Sequence, residues 1–311
     1  MTYIKITRKY YIDNFGKKLI KEIIKNVKNT DIYKNYSYIY HTQKYTLKEI
    51  ITYIVIKIKY SLTWDGLGKH KSNIHKHFLR LCKYNIFTDT YNNLIQKYIT
   101  DNKSKNIYTD TTAIINKGGI DNVKKNKYYY NKNCNKISIF TDDKNIPIDN
   151  DFYAGNIYDS KILYNKMSQN TDPVGMVMTI PSVTGKMFTF CPDLINKLKQ
   201  IKCKEFIADA GYCSIKNRKI LEKHGIIPVI KYNNRRTKKE EDKKYLTEDE
   251  MKKYKKRVKI EHVFGNLKQK SILNVREILI NIVFQCNDKY FINYANQVIV
   301  YFLLRIVKSI K

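Results

Sequence analysis

A succession of strand-like and helix-like segments between residues 103 and 231 is the feature that most constrains the fold of this chain. Alternating runs rich in β-branched and aromatic residues predict strands, and apolar residues spaced three and four apart predict helices. The predicted strands are 106–115, 136–142, 145–153, 204–209 and 226–231. The predicted helices are 159–167, 192–201 and 214–224. Strands that alternate with helices imply an α/β fold, in which helices flank a mixed sheet with parallel members.

A helical region is predicted ahead of the sheet, over residues 46–102. Thr46 and Glu49 form a capping-box pattern before a run of isoleucines at helical spacing. A Gly-containing turn, TWDGLGKHK, follows, and we expect Ser72 to cap a second helix. Residues 1–45 are basic, rich in Tyr and Asn and weakly periodic, so we expect an irregular arm or a poorly packed helix.

The second helix, SNIHKHFLRLCKY, separates apolar residues from basic ones. One face carries Ile74, Phe78 and Leu81. The opposite face carries His75, Lys76, Arg80 and Lys83. A helix pair with a Gly-containing turn and a basic outer face suits a DNA-binding helix-turn-helix. An ordinary helical pair with solvated lysines explains the pattern equally well, and the histidines have no partner cluster that would indicate a metal site.

Four residues with side chains suited to phosphate chemistry stand at fixed spacing in YKKRVKIEHVFGNLK: Tyr254, Arg257, Glu261 and Lys268. At about 100° per residue, one continuous helix would place all four within a narrow stripe. A neighbouring apolar arc, suited to packing, contains Ile260, Val263, Phe264 and Leu267. A glutamate on a helix is usually only solvated, and it gains a chemical role when other carboxylates can meet it.

Two aspartates upstream can meet this glutamate. Asp110 lies in the strand-like run KNIYTDTTAIIN, and Asp209 ends the apolar strand KEFIADAGY. A carboxylate at the end of a buried strand is costly unless it binds a cation. Three carboxylates can hold two Mg²⁺ ions about 3.5–4 Å apart, which is the arrangement used in phosphodiester chemistry. Their hard oxygen ligands suit Mg²⁺ or Mn²⁺.

These residues resemble a known family. Asp110, Asp209 and Glu261 resemble the Asp-Asp-Glu triad of the transposases of bacterial insertion sequences. The four-residue motif from Tyr254 to Lys268 is similar to the Tyr-Arg-Glu-Lys signature of their insertion-sequence 4 and 5 type branch. Two further blocks, IADAGYCSIKNRKILEKHGIIPVI and KISIFTDDKNIPIDNDFYAGNIYDSKIL, also resemble the family. The resemblance covers roughly residues 45–305.

The resemblance implies a ribonuclease-H-like sheet in which the first and fourth predicted strands are adjacent, so that Asp110 lies beside Asp209. Residues 103–311 would form the catalytic domain, with 233–252 as a charged, exposed insertion. Asp159 is expected to cap a helix rather than to be a fourth metal ligand. Arg257 would hold Glu261 or a phosphate, and the DNA-binding residues would also include Tyr254 and Lys268.

The activity implied by the resemblance is DNA transposition with two Mg²⁺ or Mn²⁺ ions. The enzyme would hydrolyse the phosphodiester at the ends of its element and transfer the 3′-hydroxyl to target DNA. Its partners would be double-stranded DNA, both terminal inverted repeats and target, and a second protomer in a synaptic complex. The alternatives are a related nuclease that does not join strands and a domesticated, non-catalytic DNA-binding protein.

Charge and composition agree with a polyanionic partner. The 311 residues contain 59 Lys and Arg against 28 Asp and Glu, which gives a net charge of +31. An AT-rich codon bias toward Lys, Asn, Ile and Tyr accounts for about half of this excess, and the remainder indicates nucleic acid. Six scattered cysteines, the lack of a signal-peptide core and the lack of a long apolar run predict an intracellular, DNA-associated protein without a membrane span.

Overall fold

The protein is described here by a computed structural model. It covers residues 10–30, 45–115, 124–126, 132–168, 194–235, 237–269 and 289–310. Contacts within the chain divide these residues into two units. A helical unit contains the N-terminal helices and the C-terminal helix, and a sheet unit contains the β-strands and their flanking helices. The C-terminal helix thus groups with the N-terminal helices, whereas the sequence interpretation assigned it to the catalytic domain.

In the described residues, the helical unit consists of long helices and a short 3₁₀ helix, Asp65–His70. The helices are α1 (Asn14–Lys28), α2 (Leu47–Lys59), α3 (Lys71–Lys83), α4 (Ile86–Asp101) and α10 (Lys289–Ser309). The last three residues of α4 belong to the sheet unit. Helix α10 contacts α1, α2 and α3. Residues 298–307 of this helix are almost all buried.

Helix α1 corrects the expectation for the N-terminal segment, because it is well packed. Asp13 caps it by accepting a hydrogen bond from the backbone N–H of Gly16 at 2.8 Å. Leu19, Ile23 and Val27 are fully buried. Their spacing of four residues is helical, and the Tyr- and Asn-rich composition around them obscured it. The rest of the expected arm, residues 1–9 and 31–44, lies outside the described residues.

The start of α2 agrees with the prediction, and the start of α3 does not. The N–H of Thr46 donates to Glu49 Oε2 at 2.7 Å, and the N–H of Glu49 donates to Thr46 Oγ1 at 3.2 Å, which completes the capping box. Helix α3 begins at Lys71, so Ser72 lies inside the helix and does not cap it. The reason is that the preceding turn is itself helical, with its kink at Gly68, where φ is +63°.

The sheet unit contains a six-stranded mixed sheet with the order β2-β3-β1-β5-β6, and β4 pairs with β3. The strands are β1 (Asn106–Ile115), β2 (Lys124–Asn126), β3 (Lys132–Thr141), β4 (Pro147–Ala154), β5 (Glu205–Ala208) and β6 (Ile227–Ile230). Strands β1 to β4 pair antiparallel, whereas β1–β5 and β5–β6 are parallel. The predicted mixed sheet flanked by helices is confirmed, with the short β2 as an addition.

Parallel pairing between β1 and β5 brings two distant segments together. Asn106 lies opposite Glu205, and Tyr108 lies opposite Ile207. The same offset, continued by two residues, makes Asp110 level with Asp209. The expected adjacency of the first and fourth predicted strands is therefore observed.

The helices of the sheet unit follow its strands in the chain. They are α5 (Asp159–Ser168), α6 (Leu194–Gln200), α7 (Ile215–Lys223), α8 (Glu248–Lys255) and α9 (Val258–Gln269), of which the last residues group with the helical unit. The charged segment 233–252 is mostly exposed and contains a 3₁₀ helix, Glu240–Asp242, before α8. None of the helices in the described ranges is both long and apolar enough to cross a membrane.

Candidate active site

Arg257 connects two of the three candidate catalytic carboxylates. Its Nη1 donates to Asp110 Oδ2 at 2.6 Å, and its Nη2 donates to Glu261 Oε1 at 2.8 Å. The Asp110 carboxylate comes from the middle of β1, whereas Glu261 lies in the first turn of α9. The guanidinium is mostly buried, so its planar fork fixes both carboxylates against one side of the sheet.

The helical stripe predicted for this region is interrupted, which is a correction. Helix α8 ends at Lys255, and α9 starts at Val258, after a turn at Lys256 and Arg257. The N–H of Arg257 bonds to the carbonyl of Tyr254, and the N–H of Ile260 bonds to that of Arg257. Hydrogen bonds three residues apart tighten the backbone at the turn, and they place Arg257 before the helix that carries Glu261.

The other members of the stripe lie on either side of this turn. Tyr254 is half-buried, and its ring centroid is 5.8 Å from the guanidinium carbon of Arg257. Lys268 lies in the last turn of α9. The predicted apolar arc is buried against the core, with Ile260, Val263, Phe264 and Leu267 between 0% and 6% exposed.

Asp209 lies at the point where β5 ends. Its Oδ1 accepts a hydrogen bond from the N–H of Gly211 at 2.8 Å, which starts the 3₁₀ helix Ala210–Tyr212. The buried Tyr212 hydroxyl lies 3.5 Å from Thr109 Oγ1 on β1. These contacts fix the turn after β5 beside β1, so Asp209 adjoins the strand that carries Asp110.

Asp159 is a fourth carboxylate next to this turn, and sequence reasoning assigned it a different role. It is the first residue of α5, and its Oδ1 accepts hydrogen bonds from Thr111 Oγ1 and Lys136 Nζ, both at 2.9 Å. The carboxylate therefore bonds to the sheet rather than to a helix amide, which corrects the expected cap. Its position after a Gly-Asn turn was visible in the sequence, but its contact with Lys136 was not.

Burial and mutual repulsion disfavour ionisation of the two aspartates. Burial raises the pKa of Asp110 to about 6, and the charge of Asp209 adds to this shift while Arg257 opposes it. Burial also raises the pKa of Asp209, and the nearby Asp159 charge acts in the same direction. Carboxylates with raised pKa values at one end of a strand pair are typical of a functional site.

The candidate DNA-binding face of α3 is only partly as predicted. Lys76, Arg80 and Lys83 are exposed, whereas His75 is half-buried, with its ring 4.6 Å from that of Trp64. Burial and the charge of Lys57 lower the pKa of His75. His77, on the same helix, is buried, and burial lowers its pKa to about 4.

The donor set suits a divalent cation, although it is not arranged around one. Carboxylate oxygens are the ligands that Mg²⁺ and Mn²⁺ prefer. A Cβ atom on Gly211 would lie 2.9 Å from Asp159 Oδ2 and 3.0 Å from Asp209 Oδ1, so only glycine leaves the space between these oxygens open. Among the described residues no group of three His, Cys, Asp or Glu side chains is assembled for metal binding. Arg257, rather than a metal cation, contacts both Asp110 and Glu261.

Comparison with known proteins identifies the family. The model of the transposase DDE domain matches residues 98–278, which is more than half of the chain. No curated protein and no solved structure matched the chain. The matched range includes the whole sheet and all three candidate catalytic carboxylates, and it supports a DNA transposase function in general. The chain therefore belongs to the family of proteins with a transposase DDE domain.

Proposed function

We propose that this chain is the transposase of an insertion sequence of the 4 and 5 type, with Asp110, Asp209 and Glu261 as its catalytic residues. The contact that carries this proposal is the bridge from Arg257 to Asp110 and Glu261. It joins carboxylates that are far apart in the chain, and the β1–β5 register, continued by two residues, makes Asp209 level with Asp110. The enzyme would hydrolyse the phosphodiester at each end of its element and transfer the 3′-hydroxyl to target DNA.

The three carboxylates are the proposed ligands of two Mg²⁺ or Mn²⁺ ions. Such a pair, when bound, activates a water or a 3′-hydroxyl and stabilises the leaving oxygen. The raised pKa of Asp110 agrees with this role, because carboxylates that lie close together in a buried site repel one another until a cation neutralises them.

The cations near the centre are suited to hold DNA. Arg257 can donate to a phosphate with the same fork that now holds two carboxylates. Lys268 lies seven residues beyond Glu261, which is about 10 Å along the helix axis, so we assign it to a flanking phosphate. Tyr254 would stack on a base or bond to a phosphate.

The exposed basic face of α3 is the proposed second DNA contact. Lys76, Arg80 and Lys83 would bind the phosphates of the terminal inverted repeats, and half-buried His75 would contribute from the edge of this face. Two protomers would be needed to hold both ends of the element, so the active form is proposed to be a homodimer on DNA. We expect it to act inside the cell, wherever its DNA is.

Two alternatives differ from this proposal in measurable ways. A related nuclease would cleave element ends but would not join them to a target. A domesticated DNA-binding protein would bind DNA without cleavage, and the four acidic and two cationic side chains gathered at this centre argue against it. Strand transfer from pre-cleaved ends separates the first alternative from a transposase.

The test of the catalytic assignment is Glu261→Gln. Glutamine keeps the size and the helix propensity of glutamate but removes a negative ligand, so DNA binding should persist while Mg²⁺-dependent cleavage of terminal-repeat DNA is lost. The measurement is cleavage of labelled duplex beside a binding assay with the same duplex. Glu222→Gln, which changes an exposed glutamate of α7 in the same way, serves as the control. Cleavage and joining by Glu261→Gln at the normal rate would refute the proposed centre.

A further inference from the structure

Lys136 and Thr111 hold Asp159 in one fixed orientation. Lys136 is 9% exposed in its side chain, and it donates both to Asp159 Oδ1 and to the carbonyl of Ile157 at 3.0 Å. Buried ion pairs contribute little to stability, because desolvation offsets most of the attraction between the charges. A buried lysine that fixes one carboxylate oxygen is better explained if the other oxygen is thereby oriented to bind a ligand.

The second oxygen of Asp159 lies beside the turn that carries Asp209. Both Asp159 Oδ2 and Asp209 Oδ1 lie within 3.0 Å of the position that a Cβ on Gly211 would occupy. The two oxygens are therefore at most about 6 Å apart. Asn217 secures this junction, since its Nδ2 donates to the carbonyl of Ser160 at 3.0 Å and to that of Tyr212 at 2.8 Å. The first turn of α5 and the turn after β5 are thus held together.

The charges of the centre are unbalanced without a further cation. Around the β1–β5 junction, counting both sides of the sheet, four carboxylates outnumber two cations, so the formal charge is −2; the carboxylates are Asp110, Asp159, Asp209 and Glu261, and the cations are Arg257 and Lys136. One divalent cation would neutralise this charge. The space over Gly211 lies between two of the carboxylate oxygens, and a side chain at this position would fill it.

We propose that Asp159 is a fourth acidic ligand of the catalytic centre and shares a divalent cation with Asp209 over Gly211. The inference rests on the proposed function and extends its ligand set. Asp110 and Thr111 are neighbours on β1 and point to opposite faces of the sheet, so Asp159 approaches from the side opposite to Arg257. Asp209 follows the end of β5, where both faces of the sheet can be reached. It would therefore be the ligand that is shared between Asp159 and the Asp110–Glu261 side.

Binding of Mn²⁺ to the full chain without DNA tests this proposal, with free Mn²⁺ followed by electron paramagnetic resonance. In Asp159→Asn the remaining oxygen can still accept from Thr111 and Lys136, but an amide replaces the oxygen beside Asp209. We expect Mn²⁺ affinity to fall at least about tenfold, the size of effect seen when groups around a metal site are changed. Asp143→Asn is the matched control, because Asp143 is also partly buried and near a lysine.

A second variant decides the question if Asp159→Asn fails to fold. Gly211→Ala changes no charge, and Gly211 has no positive φ that would exclude alanine, but the added Cβ fills the space between the two oxygens. It should weaken Mn²⁺ binding as well. Gly265→Ala, where a Cβ meets nothing within 4 Å, should bind Mn²⁺ like the wild type.

The outcomes separate this inference from the proposed function. Wild-type affinity in folded Asp159→Asn, together with loss of binding in Asp209→Asn, would overturn the role of Asp159 and leave the triad intact. Wild-type affinity in Gly211→Ala would likewise overturn it. If the wild-type chain itself does not bind Mn²⁺, the metal centre of the proposed function fails, and the fourth ligand fails with it.

Discussion

Arg257 lies 147 positions from Asp110 in the chain, and the contact between these two residues defines the centre. The spacing of Arg257 and Glu261, four residues apart, allowed the prediction that they pair, because such residues are neighbours on a helix. The bond to Asp110 could not be read from local sequence, since it depends on where α9 packs against the sheet. The same holds for Asp159, whose ion pair with Lys136 arises only after β3 and α5 have come together.

Two substitutions of Arg257 distinguish the effect of its charge from the effect of its forked side chain. Arg257→Ala should weaken both DNA binding and cleavage, because it removes a cation and releases two carboxylates. Arg257→Lys keeps the charge but cannot span Asp110 and Glu261 together, so we expect near-normal binding with cleavage reduced about 100-fold, as a small misplacement of catalytic groups can cause. Cleavage rates at saturating DNA measure this, with Lys256→Ala as the control at the exposed neighbouring position. Normal cleavage by Arg257→Lys would show that the bridge is dispensable.

Elements with strong periodicity were predicted almost to the residue, and irregular ones were not. Strand β1 matches its predicted range, 106–115, because alternation marks a strand clearly. The break between α8 and α9 was missed, since residues 248–269 contain no glycine or proline near position 256 to mark it. The close packing of helix α1 was missed because only four of its apolar residues form the buried face, within a polar, aromatic-rich segment.

Helix α3 gives the helical unit a pH dependence through His77. This residue is 7% exposed, and burial lowers its pKa from 6.5 to about 4, with Arg80 acting in the same direction. The unfolded chain binds a proton at higher pH than the folded one, so stability is full above pH 6.5 and is lost as the pH falls toward 4. The loss can reach about 3 kcal/mol.

Chemical denaturation between these two pH values measures this loss. His77→Leu should remove this part of the pH dependence, whereas His224→Leu, at the half-buried residue that follows α7, should keep most of it. An unchanged pH profile in a folded His77→Leu protein would rule out His77 as the source.

The outer face of α3 can be tested for DNA binding by salt dependence. Each phosphate contact that is lost reduces the slope of log K against log salt by about one, so alanine at Lys76, Arg80 and Lys83 should reduce it by up to about three. Lys21, Lys25 and Lys28 of α1 provide a matched triple substitution that also removes three charges from a helix of the same unit. Equal slopes for the two triple variants would favour a solvated face with no specific DNA contact.

On the scale of the whole molecule, the net charge of +31 would make the proposed pairing of two protomers depend on DNA. Two copies repel each other at low ionic strength, because screening is weak there. A duplex with terminal repeats neutralises part of this charge, so it should bring two protomers together. Salt then acts in opposite directions: it screens repulsion between free protomers, and it weakens every phosphate contact in the DNA complex.

Light scattering at about 50 and 200 mM salt tests this coupling, since phosphate contacts weaken strongly over that range. With terminal-repeat duplex, we expect a complex of two protomers at low salt that dissociates at high salt. Without DNA, any association should be weaker at low salt than at high salt. A duplex of equal length and unrelated sequence is the control, because it supplies the same phosphates without the repeat. A stable dimer at low salt in the absence of DNA would contradict DNA-dependent assembly, and it would mean that an apolar interface outweighs the repulsion between protomers.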